Sequence, residues 1–404
     1  MVFLLIAVRQ VGRFSWRIWQ VMLGGALAVL ILDQITPAGA LAAINIDVMV
    51  FLFCMFVVGE ALSRSGYLDL VAGKLFSQAR TQGQLLFFVI FCFGILSALL
   101  MNDTLAIIGT PLVIGLAARS RLPAKMLLLA LAFAITTGSV ASPIGNPQNL
   151  LVALDSGMGA PFVTFAARLL VPTILSLATV WLAIFIFFGS SWNAPLDTGE
   201  NSGTPPVPDP GLSRIVKCSL AILVILAGAN IVASLLTGTL AIPLPLISLA
   251  AALPILIFSS QRTAVLRSID WCTLVFFAAM FVLMAAVWET GFFQSVAGTA
   301  GVGTVPAILA TSVVISQFIS NVPFVALFMP LILQAGGGTA RLMALAAGST
   351  IAGNLTILGA ASNVIIIQQA ESRGETLTFF EFAKIGVPLT LAQIGIYAVC
   401  LGAM

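Results

Sequence analysis

Histidine is missing altogether, and acidic and basic residues together supply only 8% of the 404 positions. Without histidine there is no imidazole to bind a metal or relay a proton, so proton chemistry falls to carboxylates. A soluble domain carries about 25% charged residues. The deficit leaves too little polar surface to coat a water-soluble body of this size. A cytosolic enzyme, a nucleic-acid binder and a secreted disulfide scaffold are therefore excluded. Cysteine is sparse too: the five stand at 54, 92, 218, 272 and 400, with no CxxC or other clustered spacing. They read as small apolar packing residues, and neither a metal site nor a cofactor is expected. The 17 basic and 14 acidic residues are too evenly matched to signal a polyanionic partner. There is no GxSxG elbow, Walker loop or HExxH, so enzyme chemistry is not expected. For the same reason an ATP-driven pump would need an accessory ATPase. What the chain has in abundance is apolar residues, 60% of the total, with a mean hydropathy of +1.15. This is the composition of an all-α polytopic membrane protein, held in lipid.

A bilayer core of roughly 30 Å needs about 20 apolar residues per helix. Full-length spans are predicted near 18–36, 46–63, 126–150, 162–188, 214–236, 242–260, 271–289, 341–366 and 385–403. Met1–Val8 reads as the start of the first helix, being short and without a signal-peptide cleavage site. Two further apolar stretches, 85–118 and 304–335, are too long for one span and are broken by Asn102-Asp103-Thr104 and Ser320-Asn321. Polar backbone at that depth is tolerated only when buried in protein, so each is predicted to be a re-entrant hairpin. With the N-terminus in the cytoplasm, fifteen of the basic residues fall inside and only Arg168 and Arg341 outside. That satisfies the positive-inside rule and predicts a multi-pass protein of the cell (inner or plasma) membrane.

Residues 189–213 are rich in Pro, Gly and Asp and read as a flexible cytoplasmic linker. The sequences on its two sides repeat. VFLFCMFVVGEALSRSGYLDLVAG (50–73) aligns without gaps with VFFAAMFVLMAAVWETGFFQSVAG (275–298). Further on, Asn102 and Pro111 pair with Asn321 and Pro330, and Gly145 and Asn149 pair with Gly359 and Asn363. The first unit runs outside to inside and the second inside to outside. The chain thus divides into a first half, 1–188, with hairpin 85–118 and a broken helix 126–155. The second half, 214–404, holds a linking helix 214–236, hairpin 304–335 and a broken helix 341–370. Inverted repeats of this kind mark secondary transporters, because exchanging the conformations of the halves exposes one site to either side.

The polar marks define the candidate site. SPIGNPQN (142–149) and TILGAASN (356–363) interrupt apolar helices, and Pro143, Pro147 and Gly145 predict unwinding in the first. Together with the hairpin tips they offer Asn102, Thr104, Thr137, Ser142, Asn146, Gln148, Asn149, Ser320, Asn321, Thr356, Ser362 and Asn363 as substrate-binding residues. Unwound carbonyls and helix N-termini in a protein-lined cavity hold cations, anions or hydroxylated solutes. Asp103 is the only acid in either hairpin, and no Lys or Arg lies within the central part of any span. A carboxylate at that depth must be protonated, bind a cation or cap the returning helix. It is the candidate proton-coupling residue. Glu60 reads as reaching the interface, and Asp47, Asp270 and Glu289 as interfacial.

MNDTLAIIGTPLV, IGNPQN, SNVPFVALFMPLI and AGNLTILGAASN together resemble the ion transporter superfamily over essentially the whole chain, most of all its arsenite-efflux permeases (the ArsB/NhaD group). That resemblance implies an elevator-type transporter with scaffold and mobile transport parts, two hairpin tips facing a central site, and often a homodimer. Sodium-coupled dicarboxylate relatives carry Ser-Asn-Thr at each tip; Asp103 and Val322 depart from it. The function implied is arsenite or antimonite efflux in exchange for protons. The alternatives are a sodium- or proton-coupled transporter of a small inorganic or carboxylate anion, or a sodium/proton antiporter of the same fold.

Overall fold

The computed structural model describes residues 10–11, 14–15, 18–76, 78–189, 196, 209–237, 242–291, 294–295 and 303–402. Most of the predicted linker, and Met1–Val8, therefore lie outside the described residues. Gln10–Val11 (β1) pairs antiparallel with Phe14–Ser15 (β2), and the first described helix, α1, runs from Ile18 to Ile31. Gly12, a poor helix former, stands in the sequence between the two paired segments.

In chain order there follow α2 (Pro37–Ala43), α3 (Ile46–Ser65), α4 (Tyr67–Phe76), α5 (Gln82–Leu99) and α6 (Asn102–Ser120). Next come α7 (Ala124–Gly138), α8 (Pro147–Asp155), α9 (Pro161–Phe188), α10 (Pro210–Thr237), α11 (Leu244–Phe258) and α12 (Arg262–Ser268). The remainder is α13 (Trp271–Glu289), α14 (Val305–Ile319), α15 (Asn321–Gln334), α16 (Thr339–Ile351), α17 (Ala361–Glu371) and α18 (Phe379–Gly402). Among the described residues, eight helical segments are long and apolar enough to cross a membrane. Caps place their ends. Asn45 Oδ1 accepts from Val48 N at 3.1 Å to start α3, and Gly66 ends it at φ +64°, a left-handed turn that glycine makes without steric cost.

Helices α5–α6 and α14–α15 form the two hairpins. Their tips are inside the protein: Leu100, Met101, Asn102, Asn321 and Val322 are all buried. The polar turn backbone is thereby kept from lipid, as a hairpin within a membrane requires. At the second tip Ser320 adopts φ 72°, ψ 156°, a region almost reserved for glycine. Ser320→Gly is expected to raise stability by about 1 kcal/mol by relieving that strain. Thermal unfolding in detergent checks it, and an unchanged midpoint would show the tip to be relaxed.

Both interrupted helices are present, but each unwinds earlier than expected. The first breaks at a 3-10 turn, Ser139–Ala141, and the second at Ala352–Asn354 and Ile357–Gly359. Pro143 explains the first: it has no N–H for the carbonyl four residues back, which is that of Ser139. The glycines of the breaks are close-approach positions. A Cβ at Gly145 would lie 2.6 Å from the Ser139 carbonyl oxygen, and one at Gly359 2.5 Å from that of Ala352.

Helices α7 and α16 are buried all round from Met126 to Gly138 and from Leu342 to Ile351, the pattern of core helices. α7 packs on α5 and α6, and α16 on α14 and α15; across the halves, α17 lies on α6 and α15 on α8. The outer helices α9 and α10 instead expose Leu170, Val171, Ile174, Ile186, Ile225, Val232 and Leu236, an apolar surface suited to lipid. Charged side chains sit at helix ends. Glu60 accepts from Arg64 Nε at 2.6 Å, and Lys125 pairs with Glu381 at 2.6 Å.

Candidate functional site

The demand for donors inside the breaks organises everything around them. Asn149 turns its amide nitrogen back onto the carbonyls of Ser139 (3.1 Å), Val140 (3.3 Å) and Ser142 (3.0 Å). At the positions that the repeat makes equivalent, Asn363 Nδ2 donates to the carbonyls of Gly353 (2.6 Å) and Thr356 (3.5 Å). Each asparagine restores hydrogen bonds that an unwound helix in a membrane would otherwise leave unmade. Asn146 caps α8 by accepting from Asn149 N at 2.9 Å, with Pro147 at the first helical position, where a missing N–H does no harm.

The breaks are also tied to their tips and to each other. Asn102 N donates to the Gly145 carbonyl at 3.1 Å; in the second half, Gln317 donates to the Ala352 carbonyl at 2.8 Å and accepts from Thr356 Oγ1 at 2.8 Å. Across the halves, Thr350 Oγ1 accepts from Asn146 Nδ2 (3.2 Å) and donates to Asn149 Oδ1 (3.2 Å). Reciprocally, Asn354 donates to Thr137 Oγ1 (3.0 Å) and to Gln393 Oε1 (2.9 Å), and Gln393 donates to Thr137 (3.0 Å).

In front of this frame lies a cavity of about 780 Å³. The first turns of α6, α8, α15 and α17 reach it with Asn102 and Asp103, Pro147 and Gln148, Asn321 and Val322, and Ala361. Four helix N-termini thus converge, each carrying partial positive charge. No side chain caps α15 or α17, so their first amides are available to acceptor oxygens. Opposite stand Asp270, Cys272 and Thr273 at the start of α13, with Trp19 of α1 and Gln368 of α17. The described lining residues include two carboxylates, Asp103 and Asp270, and no Lys or Arg.

Of the residues expected from sequence, Asn102, Asp103, Gln148, Ser320 and Asn321 line this cavity. Asn146, Asn149, Asn363, Thr137, Ser142 and Thr356 stand behind it in the frame just described. Thr104 packs against α3, where a Cβ at Gly59 would lie 2.6 Å from its methyl carbon. Ser362 is fully buried and its hydroxyl has no partner. Asp103 does not cap α6: the cap is Met101, which makes no side-chain bond. Its backbone N–H goes to Asn102 Oδ1 at 2.9 Å.

A sequence profile of citrate transporters matches residues 1–348. The chain belongs to the citrate transporter family. This family member is 29% identical over 405 residues to the uncharacterized transporter Rv2684 of Mycobacterium tuberculosis, covering 94% of this chain and 92% of the relative. It is 27% identical to the silicon efflux transporter LSI3 of Oryza sativa subsp. japonica, covering 92% and 90%. Among solved structures it is similar in fold to the YdaH transporter of Alcanivorax borkumensis, with a TM-score of 0.59 at 17% identity, over 95% of this chain and 97% of that one. The citrate transporter family member is accordingly a multi-pass secondary transporter and no enzyme.

One expectation gains a second role in this family member. Asp270, exposed at a span end as expected, also caps α13, accepting from Thr273 N at 3.0 Å and Thr273 Oγ1 at 2.6 Å, and shares the cavity with Asp103. Cys272, also of α13, stands on the cavity wall. Asp270 and Thr273 had a signal, an Asp-x-x-Thr pattern opening an apolar run. Trp19 had none.

Proposed function

We propose that this transporter exports a small, uncharged, hydroxylated metalloid acid, arsenite or antimonite foremost, in exchange for protons carried on Asp103. The observation that carries the reading is the cavity's inventory: carboxylates, amides and hydroxyls at the meeting of both tips and both breaks, with no fixed cation among the described lining residues. At neutral pH arsenite is an uncharged triol, and such a wall can both donate to it and accept from it. Similarity to a rice protein named for silicon efflux supports this, since silicic acid is also uncharged and hydroxylated at neutral pH. Asn102, Gln148, Ser320 and Asn321 would hold the substrate; Asn146, Asn149, Thr137, Thr356 and Asn363 hold the frame.

The second reading is a sodium- or proton-coupled carrier of a small anion, citrate included, as the family's name invites. The converging helix N-termini favour it. A citrate trianion would nonetheless have to enter beside Asp103 and Asp270 with no Lys or Arg to receive it. In the first reading the N-terminus is cytoplasmic. The cavity then opens to the cytoplasm, because α13 starts just after Arg262 and Arg267, and α17 leads to Arg373. Delivery to the other face follows by elevator-type travel of the hairpins and breaks against α3, α10 and α11.

The test is flux in proteoliposomes holding the full chain alone, with an imposed pH gradient and arsenite, citrate, sulfate and sodium compared. Arsenite movement that collapses with the gradient is expected. Citrate, sulfate or sodium moving in place of arsenite would sink the substrate assignment. Flux indifferent to the gradient would point to a channel that needs an ATPase partner.

A further inference from the structure

Two buried polar atoms on the cavity wall lack a partner of their own. Trp19, in the first turn of α1, and Asn321, at the second hairpin tip, both line the cavity. The indole Nε1 of Trp19 and Oδ1 of Asn321 make no hydrogen bond, and Asn321 is only 7% exposed. The indole nitrogen can only donate, and an amide oxygen can only accept. Buried groups of either kind are normally paired by protein, water or ligand.

A ligand that answers both must present an acceptor to Trp19 and a donor to Asn321. A fully ionised carboxylate or sulfate brings acceptors alone. An alkali cation satisfies Asn321 and has nothing for the indole N–H. A hydroxyl group does both. The donor is also uncharged, so it supplies a hydrogen bond without drawing anions into a cavity that already holds Asp103 and Asp270.

We propose that Trp19 is a specificity-determining residue of the transport cavity. Its indole N–H donates to a hydroxyl oxygen of the substrate, while Asn321 Oδ1 accepts a hydroxyl proton. A hydroxylated solute is thereby selected over one that brings acceptors alone or a bare cation. This rests on the reading of the substrate as an uncharged hydroxylated acid, and it adds α1 to the elements that contact the solute.

Trp19→Phe keeps an aromatic ring in place and removes only the N–H. Full-length Trp19→Phe and Asn321→Leu, reconstituted beside wild type, are compared by arsenite uptake over a concentration series under a fixed pH gradient. Each is expected to raise KM for arsenite about tenfold, the size of one lost hydrogen bond. Dependence on the gradient should persist in both. A tryptophan that only packs would leave KM alone. Wild type that carries arsenite, with KM unmoved in Trp19→Phe, overturns the Trp19 assignment by itself. Wild type that carries sulfate or sodium and no arsenite, neither of which brings a hydroxyl, overturns the substrate reading and the hydroxyl assignment with it. A wild-type tryptophan emission shift on adding arsenite, absent in Trp19→Phe, supports the contact independently of turnover, and a shift that persists in Trp19→Phe counts against it.

Discussion

Asp103→Asn is expected to reduce pH-gradient-driven transport to the level of protein-free liposomes while arsenite counterflow, which needs no net proton movement, continues. Among the described residues the carboxylate makes no hydrogen bond or ion pair, and the one other acid lining its cavity, Asp270, already caps a helix. An isolated charge at such a depth costs several kcal/mol, and taking up a proton removes that cost. Releasing the proton to the other side then couples the cycle to the gradient. Asparagine keeps the shape and the hydrogen-bonding capacity but stays neutral throughout, so binding survives and coupling does not. Undiminished gradient-driven accumulation in Asp103→Asn would pass the coupling role to Asp270. Loss of counterflow as well would make Asp103 a binding group.

The second large effect belongs to the frame. Asn149→Leu takes the side-chain donor from the buried carbonyls of Ser139, Val140 and Ser142, leaving the first and last only backbone contacts at 3.4 and 3.5 Å, and removes one of Thr350's two acceptors. A buried polar group stripped of its partner costs about 1–3 kcal/mol. With geometry shared among three carbonyls, a total loss of about 3 kcal/mol is expected. The readout is the unfolding midpoint in detergent, together with transport. Asn363→Leu should cost less, since its amide serves two carbonyls and one of them at 3.5 Å. Equal midpoints for wild type and Asn149→Leu would mean that water supplies the missing donors.

These two variants separate what could be read from residues and what could not. Asp103, Asn102, Gln148 and Asn321 were legible because a polar group inside a long apolar run has few reasons to be there. Asn149 and Asn363 stood out for the same reason, yet sequence alone made them substrate ligands. An unwound helix creates its own need for donors, and that need captured both amides. The early start of the first break was in principle readable, since Pro143 strips a partner from the residue four positions back. Trp19, Cys272 and Gln368 were not legible. Each is compatible with an ordinary packing position, and Trp19 and Cys272 become cavity wall only because α1 and α13 face the hairpin tips across it. Contacts between residues so far apart in the chain leave no periodic trace.

The reciprocal bonding of the two breaks also has a genetic consequence. Thr137 is held by Asn354, 217 positions away, and by Gln393, 256 positions away, while Thr350 answers Asn146 and Asn149 from the opposite half. A lesion at one of these threonines therefore leaves its unmet partners in the other half of the gene. Suppressors that restore transport to a Thr137 mutant should map to codons 354 and 393, and few to the codons beside the lesion. Halves taken from two diverged relatives and joined at the linker should fail wherever those partners no longer match.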